Sequence, residues 1–381
     1  MSASKVRTAC RRFASAALLL ADTAAAQSTL DAAAGQALFE KNWVTPPAST
    51  RASDGLGPYY DARSCAGCHP RAGQGAAPEA LTIVIDDAVL GAQLQRHAVA
   101  GLPVEARVEV VSVPGQTPWL RAPAAGLQGY SLRLAPPLVG VAAFEQVVTA
   151  YLQSLADPLD ANRDGVSGRL GGRYGWKAEV PGLRQQIGKA LSLDIGIGSP
   201  EYPAVAGDCT PRQSACVGLA EASAEADVEA SSLVLDLLVA YLASLPLPVP
   251  ARPAAESLPG AWLFGDFGCT ACHVPSLPTA AGRPLEAYSD LLLHDLGPGL
   301  ADSLLRPPAA PGAVAEASPA EWRTAPLWGV ASRSRLLHDG RATTLDAAIR
   351  WHDGEASGSR RHYEQAEEAA RELLLGFLRS L

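Results

Sequence analysis

The sequence predicts a mainly α-helical chain of two similar domains, the first of which is enlarged by a β-rich insertion. Three observations predict this fold class: a cysteine motif that occurs twice, helical patterns repeated around each copy, and a stretch of strand-like alternation. The first domain is expected at 27–248, with the insertion at about 79–135, and the second at 254–381. The Pro-rich segment PLPVPARP at 246–253 is the expected linker.

The first 26 residues predict a secretory signal peptide. A short apolar run from Phe13 to Ala21 is followed by TAAAQ, which has the small residues that signal peptidase favours. The run is too short to span a bilayer, and we expect no transmembrane segment later in the chain. The prediction is therefore an exported, periplasmic protein cut after Ala26, with an uncleaved anchor as the alternative. The basic residues before the run are Lys5, Arg7, Arg11 and Arg12.

The charge of the mature chain bears on its partners. Removing the four basic residues and Asp22 of the signal segment from the 31 basic and 39 acidic residues leaves a formal charge of −11. A charge of this sign argues against a nucleic-acid or anionic-membrane surface and permits a basic protein partner.

Two copies of the pattern C-x-x-C-H, CAGCH at 65–69 and CTACH at 269–273, predict two covalently bound haems. In each copy two thiols can form thioethers to one porphyrin, and the adjoining histidine can reach the iron. A zinc ribbon is the alternative, but the pairs lie about two hundred residues apart and zinc needs no histidine directly after each pair. The attachment residues are Cys65, Cys68, Cys269 and Cys272, and the axial iron ligands are His69 and His273.

The residues around the two motifs repeat loosely. GQALF at 35–39 precedes the first motif, and GAWLF at 260–264 precedes the second. Each half closes on an apolar helical pattern, LLVAYLASL at 237–245 and LLLGFLRSL at 373–381. A helix, a haem motif and a closing helix are what a cytochrome c-like unit needs to enclose its porphyrin, so we expect two cytochrome c-like domains. In the first domain, LTIVIDDAVL and ARVEVVSV read as strands of the insertion.

The segment DANRDGVSG resembles the start of a calcium loop. Its oxygen-bearing side chains occupy alternate positions, followed by a glycine, but the twelfth position is Gly171 rather than a bidentate Glu. Calcium is therefore one reading, and a solvated Asx-rich turn is the other. The candidate ligands are Asp160, Asn162, Asp164 and the backbone of Val166.

Two cysteines remain outside the haem motifs. Cys209 and Cys216, in CTPRQSAC, are expected to form a disulfide in an oxidising compartment, and a metal or redox role is the alternative.

The only methionine is Met1, which belongs to the predicted signal peptide, so no thioether is expected on either iron of the mature chain. His352 is the candidate second ligand. Thr343 is predicted to cap a helix on which Leu345, Ala348, Ile349 and His352 share one face. A buried histidine on such a face is often an ordinary core residue, but here a haem of the same domain needs a ligand. The other histidines outside the motifs are His97, His294, His338 and His362.

Several segments in combination resemble a known family. The chain is similar over nearly its whole mature length to the di-haem oxidoreductases, the thiol oxidoreductase-like c-type cytochromes, which are related to bacterial di-haem cytochrome c peroxidases. A thiol chemistry has little support, because no cysteine is left free. The matching segments are ARSCAGCHPR, GWKA, YSDLLLHDLGPGLAD, EWRTAPLWG and LHDGRATTLDAAIRWH.

The resemblance to the peroxidases implies roles for particular residues. His352 stands where those enzymes carry the distal methionine of the second haem, which implies a His273/His352 ligand pair, with His338 beside that haem. GWKAEVPGLRQQ resembles a segment that places Trp176 between the haems as an electron relay and Gln186 in the distal pocket of the first haem. Ordinary aromatic packing is the alternative for Trp176.

The catalytic carboxylate of the first pocket would fall near residue 196. Asp194 is the nearest candidate acid/base, and Glu201 is further off. The peroxidases usually have a histidine shortly after the first haem motif, but here the nearest is His97 in the insertion, where a surface or packing role is expected. The first haem is therefore expected to be open to a small molecule.

The preferred function is a periplasmic di-haem peroxidase that reduces hydrogen peroxide at the first haem, with electrons relayed through the second from a periplasmic donor protein. Two alternatives stay open. One is a non-catalytic electron-transfer cytochrome, which requires both irons to be six-coordinate. The other is an oxidase of a protein or organic substrate.

Overall fold

The computed structural model describes residues 27–49, 53–73, 80–105, 108–113, 116–121, 126–127, 129–223, 229–247, 254–304 and 316–381. The predicted signal peptide and most of the predicted linker lie outside these ranges. None of the helices within them combines the length and the hydropathy needed to cross a bilayer.

Helices account for more of the structure than strands, at 37% against 13%. Short 3₁₀ turns lie at Val141–Gln146, Cys269–Ala271, Val330–Ser332 and Gly354–Ala356, and a π-helical turn at Leu191–Ile195 continues helix α5. The described helices are α1 (27–40), α2 (Cys65–Cys68), α3 (Pro70–Gly73), α4 (Thr149–Leu155), α5 (Leu183–Ala190), α6 (Ser214–Ser223), α7 (Ser232–Ser244), α8 (Ala254–Asp266), α9 (Leu345–Trp351), α10 (Ser357–Gln365) and α11 (Glu368–Leu378).

The strands form several small antiparallel sheets. They are β1 (Tyr59–Tyr60), β2 (Leu81–Asp87), β3 (Gly91–Gln93), β4 (His97–Ala98), β5 (Glu109–Val111), β6 (Trp119–Arg121), β7 (Ser131–Leu134), β8 (Leu293–Asp295) and β9 (Glu321–Arg323). The largest has the order β3-β2-β7, and the others pair β1 with β4, β5 with β6 and β8 with β9. The prediction of a mainly helical fold is therefore met only in part, because helix prevails but small sheets lie in both halves of the chain.

The burial pattern of residues 81–87 explains why they form strand β2. Its buried side chains alternate, with Leu81, Ile83 and Ile85 fully buried, as the period of two of a half-buried strand requires. Across the sheet Leu81 pairs with Leu134 and Ile83 with Leu132 of β7. Strands β2 to β7 all lie within the region predicted as the β-rich insertion.

The repeated G-x-x-L-F pattern has a steric explanation. A Cβ atom on Gly35 of α1 would lie 1.9 Å from the carbonyl oxygen of Leu237 in α7, and one on Gly260 of α8 would lie 2.2 Å from that of Leu373 in α11. Only glycine permits the two helix axes to approach so closely. Four residues further on, Phe39 packs on Tyr241 at 5.1 Å between ring centroids and Phe264 packs on Phe377 at 5.4 Å. Each haem motif is thus preceded by a helix that packs in the same way on the closing helix of its half.

The main hydrophobic core crosses the predicted domain boundary. Phe144, Leu191 and Leu238 of the first half pack in one cluster with Leu291 and Trp328 of the second half. A smaller cluster around Phe264, Tyr363 and Leu374 belongs to the second half alone. The predicted domain limits at 248 and 254 stay a prediction, but the two halves share buried contacts.

A buried ion pair also joins the halves. The side chain of Asp302 is fully buried and accepts hydrogen bonds from both terminal nitrogens of Arg133, at 3.1 and 2.9 Å. Lys177 Nζ lies 3.3 Å from the same carboxylate, and Ser131 Oγ donates to it. The carboxylate therefore connects strand β7, the segment around Lys177 and the second half of the chain.

Replacing Asp302 by Asn is expected to destabilise the protein strongly. The change leaves two buried cations without their counter-charge, which typically costs about 3–5 kcal/mol in the free energy of unfolding. Urea denaturation of the haem-loaded protein measures the loss. Glu372→Gln is the control, because Glu372 pairs with Arg379 at 3.5 Å on the surface, where a pair is worth less than about 1 kcal/mol. Equal losses in the two variants would contradict the importance of the buried pair.

Candidate functional site

The first C-x-x-C-H motif lies at the wall of a cavity of about 660 Å³, which we call the first cavity. Helix α2 carries Cys65 and Cys68, and His69 is its C-cap. His69 Nδ1 lies 2.9 Å from the carbonyl oxygen of Pro136, to which it can donate, and this leaves Nε2 for a metal. Metal-binding histidines commonly donate their other ring N–H to a carbonyl in this way, so His69 fits an axial iron ligand.

The second motif lies on another cavity, of about 230 Å³, which we call the second cavity. Here two histidines lie close together: the ring centroids of His273 and His352 are 6.4 Å apart, and the ring planes are inclined at 50°. A metal binds an imidazole nitrogen at about 2.0–2.1 Å, and the nitrogen is about 1.1 Å from its ring centre, so two ligands on opposite sides of one metal have centroids about 6.3 Å apart. The observed spacing fits one iron between the two rings.

Both rings are oriented by backbone carbonyls. His273 Nδ1 lies 2.9 Å from the oxygen of Tyr288, and His352 Nδ1 lies 2.8 Å from that of Ala348. Burial lowers the pKa of His273 to about 4 and also lowers that of His352. Both imidazoles are therefore neutral, as a ligand to iron must be.

Helix α9 places His352 as the sequence predicts, with one correction. Leu345, Ala348, Ile349 and the C-cap residue His352 all line the second cavity, as the predicted shared face requires, although each is only half-buried. The cap, however, is Thr344 and not Thr343: the Thr344 hydroxyl accepts the N–H of Ala347 at 3.0 Å. The sequence has two adjacent threonines, and the pattern alone did not decide between them.

The four motif cysteines are free thiols, as attachment to a porphyrin requires. Burial raises the pKa of Cys65, Cys68 and Cys269 to about 12 and raises that of Cys272 as well. The thiols, the histidines and the enclosed cavities together fit two haems of the c type.

His338 lines the second cavity but does not lie opposite His273. It is buried and stacks on Trp322, with 3.6 Å between ring centroids and an interplanar angle of 11°. Burial, together with the nearby charges of Arg133, Arg341 and Lys177, holds the pKa of His338 well below its usual value. The imidazole is therefore neutral and forms part of the wall.

Trp176 lines both cavities. Its indole N–H donates to the carbonyl oxygen of Leu134 at 2.8 Å, which fixes the ring. Leu134, Ala135 and Pro136 also line both cavities, so the insertion's last strand and Trp176 together form the wall between them.

Gln186 of helix α5 lines the first cavity, where the resemblance placed it. Its side-chain oxygen Oε1 is buried and makes no hydrogen bond. Buried polar atoms are almost always hydrogen-bonded, so this atom calls for a partner from a bound molecule.

Asp194 lies in the π-helical turn and lines the first cavity. Burial raises its pKa to about 7, with the nearby Asp61 carboxylate adding to the increase and the hydrogen bond from Gln93 opposing it. Glu201, the more distant candidate, also lines this cavity but is paired with Arg184 at 2.8 Å. Asp194 is thus the better placed of the two to exchange a proton.

The sequence did not reveal Gln93 of strand β3 as a partner of Asp194. Its side-chain Nε2 donates to Asp194 Oδ1 at 2.8 Å and to Asp61 Oδ2 at 2.9 Å, so one amide joins two buried carboxyl groups. Arg96 pairs with Asp61 at 2.8 Å and supplies a counter-charge. No motif marks Gln93, because its partners lie far away in the sequence.

The sequence also left His294 unassigned. It is buried between two carboxylates, with Nε2 at 2.8 Å from Asp290 and Nδ1 at 2.7 Å from Glu355. Burial alone lowers its pKa, but hydrogen bonds to Asp290, Cys272 and Glu355 outweigh this and raise it to about 12. Within the described ranges, Cys272, Asp290 and His294 bring ligand atoms close enough to hold a metal ion, but Cys272 belongs to the haem motif.

His97 is exposed on strand β4 and stacks on Tyr60 at 5.4 Å between ring centroids. It is not among the residues that line the first cavity. This agrees with the expected surface or packing role.

In the candidate calcium loop, side-chain oxygens accept hydrogen bonds from the backbone of the loop itself. Asp160 accepts the N–H of Gly165 at 3.2 Å, Asn162 accepts that of Asp164 at 3.0 Å, and Asp164 accepts that of Val166 at 2.9 Å. These are the contacts of an Asx-rich turn. Calcium binding stays a prediction.

Elsewhere, Cys209 and Cys216 are joined by a disulfide.

Comparison with known proteins identifies the family. The profile described as "Di-haem oxidoreductase, putative peroxidase" matches residues 8–91 and 128–381, and the chain belongs to this family. It is therefore an oxidoreductase, and membership implies two haem cofactors. The profile leaves out most of the β-rich insertion. No curated protein sequence matches the chain.

The solved structures with a similar backbone trace are only distantly related in sequence. The di-haem peroxidase BthA of Burkholderia thailandensis is 17% identical, with 92% of this chain and 86% of that chain covered and a TM-score of 0.44. Hydrazine synthase of Kuenenia stuttgartiensis is 16% identical, with 91% and 92% covered and a TM-score of 0.39. These scores are too low for functional residues to be transferred.

Replacing His352 by Ala is expected to convert one of the two haems from low spin to high spin. The change removes one of the two imidazoles that would hold the second iron, and that iron would then be five-coordinate. Electronic absorption and electron paramagnetic resonance spectra of the haem-loaded protein measure the conversion. His362→Ala is the control, because His362 is exposed on α10 and does not line either cavity. An unchanged low-spin signal in His352→Ala would refute the ligand assignment.

Proposed function

We propose that the protein is a periplasmic c-type di-haem peroxidase, which reduces hydrogen peroxide in the first cavity with electrons that arrive through the second. The observation that carries this proposal is the asymmetry of the two cavities. In the second, the rings of His352 and His273 lie at the spacing expected of two ligands that share a metal. In the first, His69 is the one histidine among the described lining residues, which leaves room for a small molecule opposite it.

When bound, the two haems supply the redox chemistry of the reaction. Reduction of hydrogen peroxide breaks the O–O bond, consumes two electrons and two protons, and yields two water molecules. The protein's own part is to bind the peroxide, to move its protons and to admit the electrons.

Asp194 is proposed as the acid/base. Gln93 holds Oδ1, which leaves Oδ2 to take a proton from one peroxide oxygen and return it to the other. A pKa of about 7 suits both halves of that transfer, because a group that titrates near the working pH can accept and donate with similar ease. Glu179 also lines the cavity, but its ion pair with Lys189 outweighs burial and lowers its pKa, so it would remain a carboxylate.

Gln186 is proposed to orient the peroxide. Its oxygen Oε1 has no hydrogen-bond partner in the protein, and a rotation of the side chain into the cavity would let it accept one O–H of the substrate. Such a contact would hold the molecule in one orientation while Asp194 exchanges the proton.

Trp176 is proposed as the electron relay between the cavities. It borders both, and its hydrogen bond to Leu134 keeps the ring in one position. A relay has to be fixed in this way, because transfer depends steeply on the distance between donor and acceptor.

The location and the electron donor complete the proposal. The signal-like segment 1–26 supports export to the periplasm, and the formal charge of −11 after its removal favours a donor protein with a basic docking face. The matching helix contacts at Gly35 and Gly260 support two cytochrome c-like units.

Asp194→Asn is expected to lower kcat/KM for peroxide by about 10²–10⁴-fold, the usual loss of a general acid/base. In the wild type, the carboxylate that accepts the proton disappears as the pH falls through about 7, so kcat/KM should fall with it. The variant should lose this pH dependence. Steady-state peroxide assays between pH 5 and 9 measure both effects.

Asp266→Asn is the matched control for this variant, because Asp266 is exposed at the end of α8. The haem content of both variants must equal that of the wild type. Unaltered turnover in Asp194→Asn would remove Asp194 from the mechanism, and absence of turnover in the wild type would refute the peroxidase itself.

Trp176→Phe is expected to slow electron transfer between the haems at least about tenfold while the absorption spectra stay unchanged, since Phe is much harder to oxidise and cannot make the hydrogen bond to Leu134. Stopped-flow mixing of the reduced protein with peroxide follows the oxidation of the second haem. Trp119→Phe is the control, because Trp119 lies exposed on β6. Equal rates in the two variants would make Trp176 a packing residue.

A further inference from the structure

Two arginines in the wall between the cavities have no acidic partner. Arg323, at the end of strand β9, and Arg333, after a short 3₁₀ turn, each line both cavities. Arg323 lies in the matching segment EWRTAPLWG but was given no role by the sequence, and Arg333 lies in none of the segments singled out for function.

Both side chains donate to backbone carbonyls. Arg333 Nη2 donates to Pro326 O at 3.1 Å and to Trp328 O at 2.9 Å. Arg323 Nε donates to Gly175 O at 2.9 Å, and its Nη1 donates to Thr324 O at 3.3 Å. In each guanidinium, other N–H groups are left to donate elsewhere.

Neither arginine has a carboxylate at ion-pair distance, although the charges of Glu179 and Asp290 act on Arg323 from further away. Over the described part of the chain, no acidic oxygen lies within 4.0 Å of either guanidinium. Two other arginines of this region are paired, Arg133 with Asp302 and Arg341 with Asp339, whereas Arg335 lines the second cavity alone and donates to Gly340 O at 3.1 Å. Burial lowers the pKa of Arg323 and of Arg333 to about 10, so both stay charged at neutral pH.

A charge enclosed by protein without a counter-charge is costly, and the cost is relieved by an anion that binds it. Guanidinium groups bind carboxylates best, often through two parallel hydrogen bonds. A haem carries two propionate carboxylates on one edge of the porphyrin, and each cavity is assigned one haem.

We propose that Arg323 and Arg333 form a carboxylate-binding site for propionates of both haems. The two porphyrins would then turn their propionate edges toward the common wall and share its positive charge. Adding an electron on one side of the wall would disfavour adding one on the other, so the two reduction potentials would be coupled. This rests on the proposed two-haem content but not on peroxide as the substrate.

The test is a redox titration of the haem-loaded protein, followed spectroscopically at each haem. Arg333→Gln is expected to shift both potentials to more negative values, because losing a cation stabilises the oxidised irons. Arg333→Lys keeps the charge, so both of its potentials should lie close to those of the wild type. Arg283→Gln is the matched control, because Arg283 is exposed and outside both cavities.

The pH dependence gives a second readout. Without the cation the propionate pKa rises, so the potentials of Arg333→Gln should fall more steeply with increasing pH near neutrality than those of the wild type. Added acetate should leave the wild-type potentials unchanged if propionates fill the site, and an acetate-dependent shift would indicate a site for free carboxylates and overturn the proposal.

Shifts no larger than in Arg283→Gln, or a shift of one haem only, would also overturn it. Arg323→Gln tests the same wall independently if Arg333→Gln does not fold. Because the titration does not use peroxide, a protein without peroxidase activity could still show the coupled shift, and an active peroxidase could lack it.

Discussion

The ion pair between Asp302 and the two cations Arg133 and Lys177 is the constraint on which the arrangement of the cavities depends. Arg133 directly precedes Leu134, whose carbonyl oxygen holds the indole of Trp176 and whose N–H donates to the oxygen of His338 at 2.6 Å. Lys177 directly follows Trp176 and also donates to three backbone carbonyls of the second half. One buried carboxylate thus fixes, through neighbouring residues, both sides of the wall between the cavities.

The same cations distinguish Trp176, which lines both cavities, from Trp322, which lines the second alone. Lys177 Nζ lies 3.6 Å from the ring centroid of Trp322, and Arg133 lies over the same ring at 4.4 Å. A positive charge over an indole is attracted to the neutral ring and makes the loss of an electron from it harder. Trp322 is therefore suited to hold His338 in place, and Trp176 is the better candidate for carrying electrons.

The sequence predicted the parts of the site that depend on local spacing. The two C-x-x-C-H motifs, the helical face that ends in His352 and the alternation of β2 each involve residues within a few turns or one strand, where periodicity is informative. Contacts between segments that lie far apart in the sequence could not be predicted in this way. Gln93 meets Asp194 and Arg133 meets Asp302 across 101 and 169 residues. Arg323 lies in a segment that resembles the family and Arg333 does not, but in neither case did the sequence indicate an anion-binding role, because an arginine without an acidic partner looks in sequence like any other.

The way in which the cavities are closed has a consequence for how the protein matures. The second cavity is walled by Leu374 and Leu378 of α11, about a hundred residues after its attachment motif, and the first by Leu238 of α7 and by Arg323 and Arg333. Thioether formation needs open access to both thiols and to the edge of the porphyrin. If the haems are attached as we propose, the bonds would form on a chain whose closing helices have not yet docked, and the native packing would be completed around a cofactor already in place.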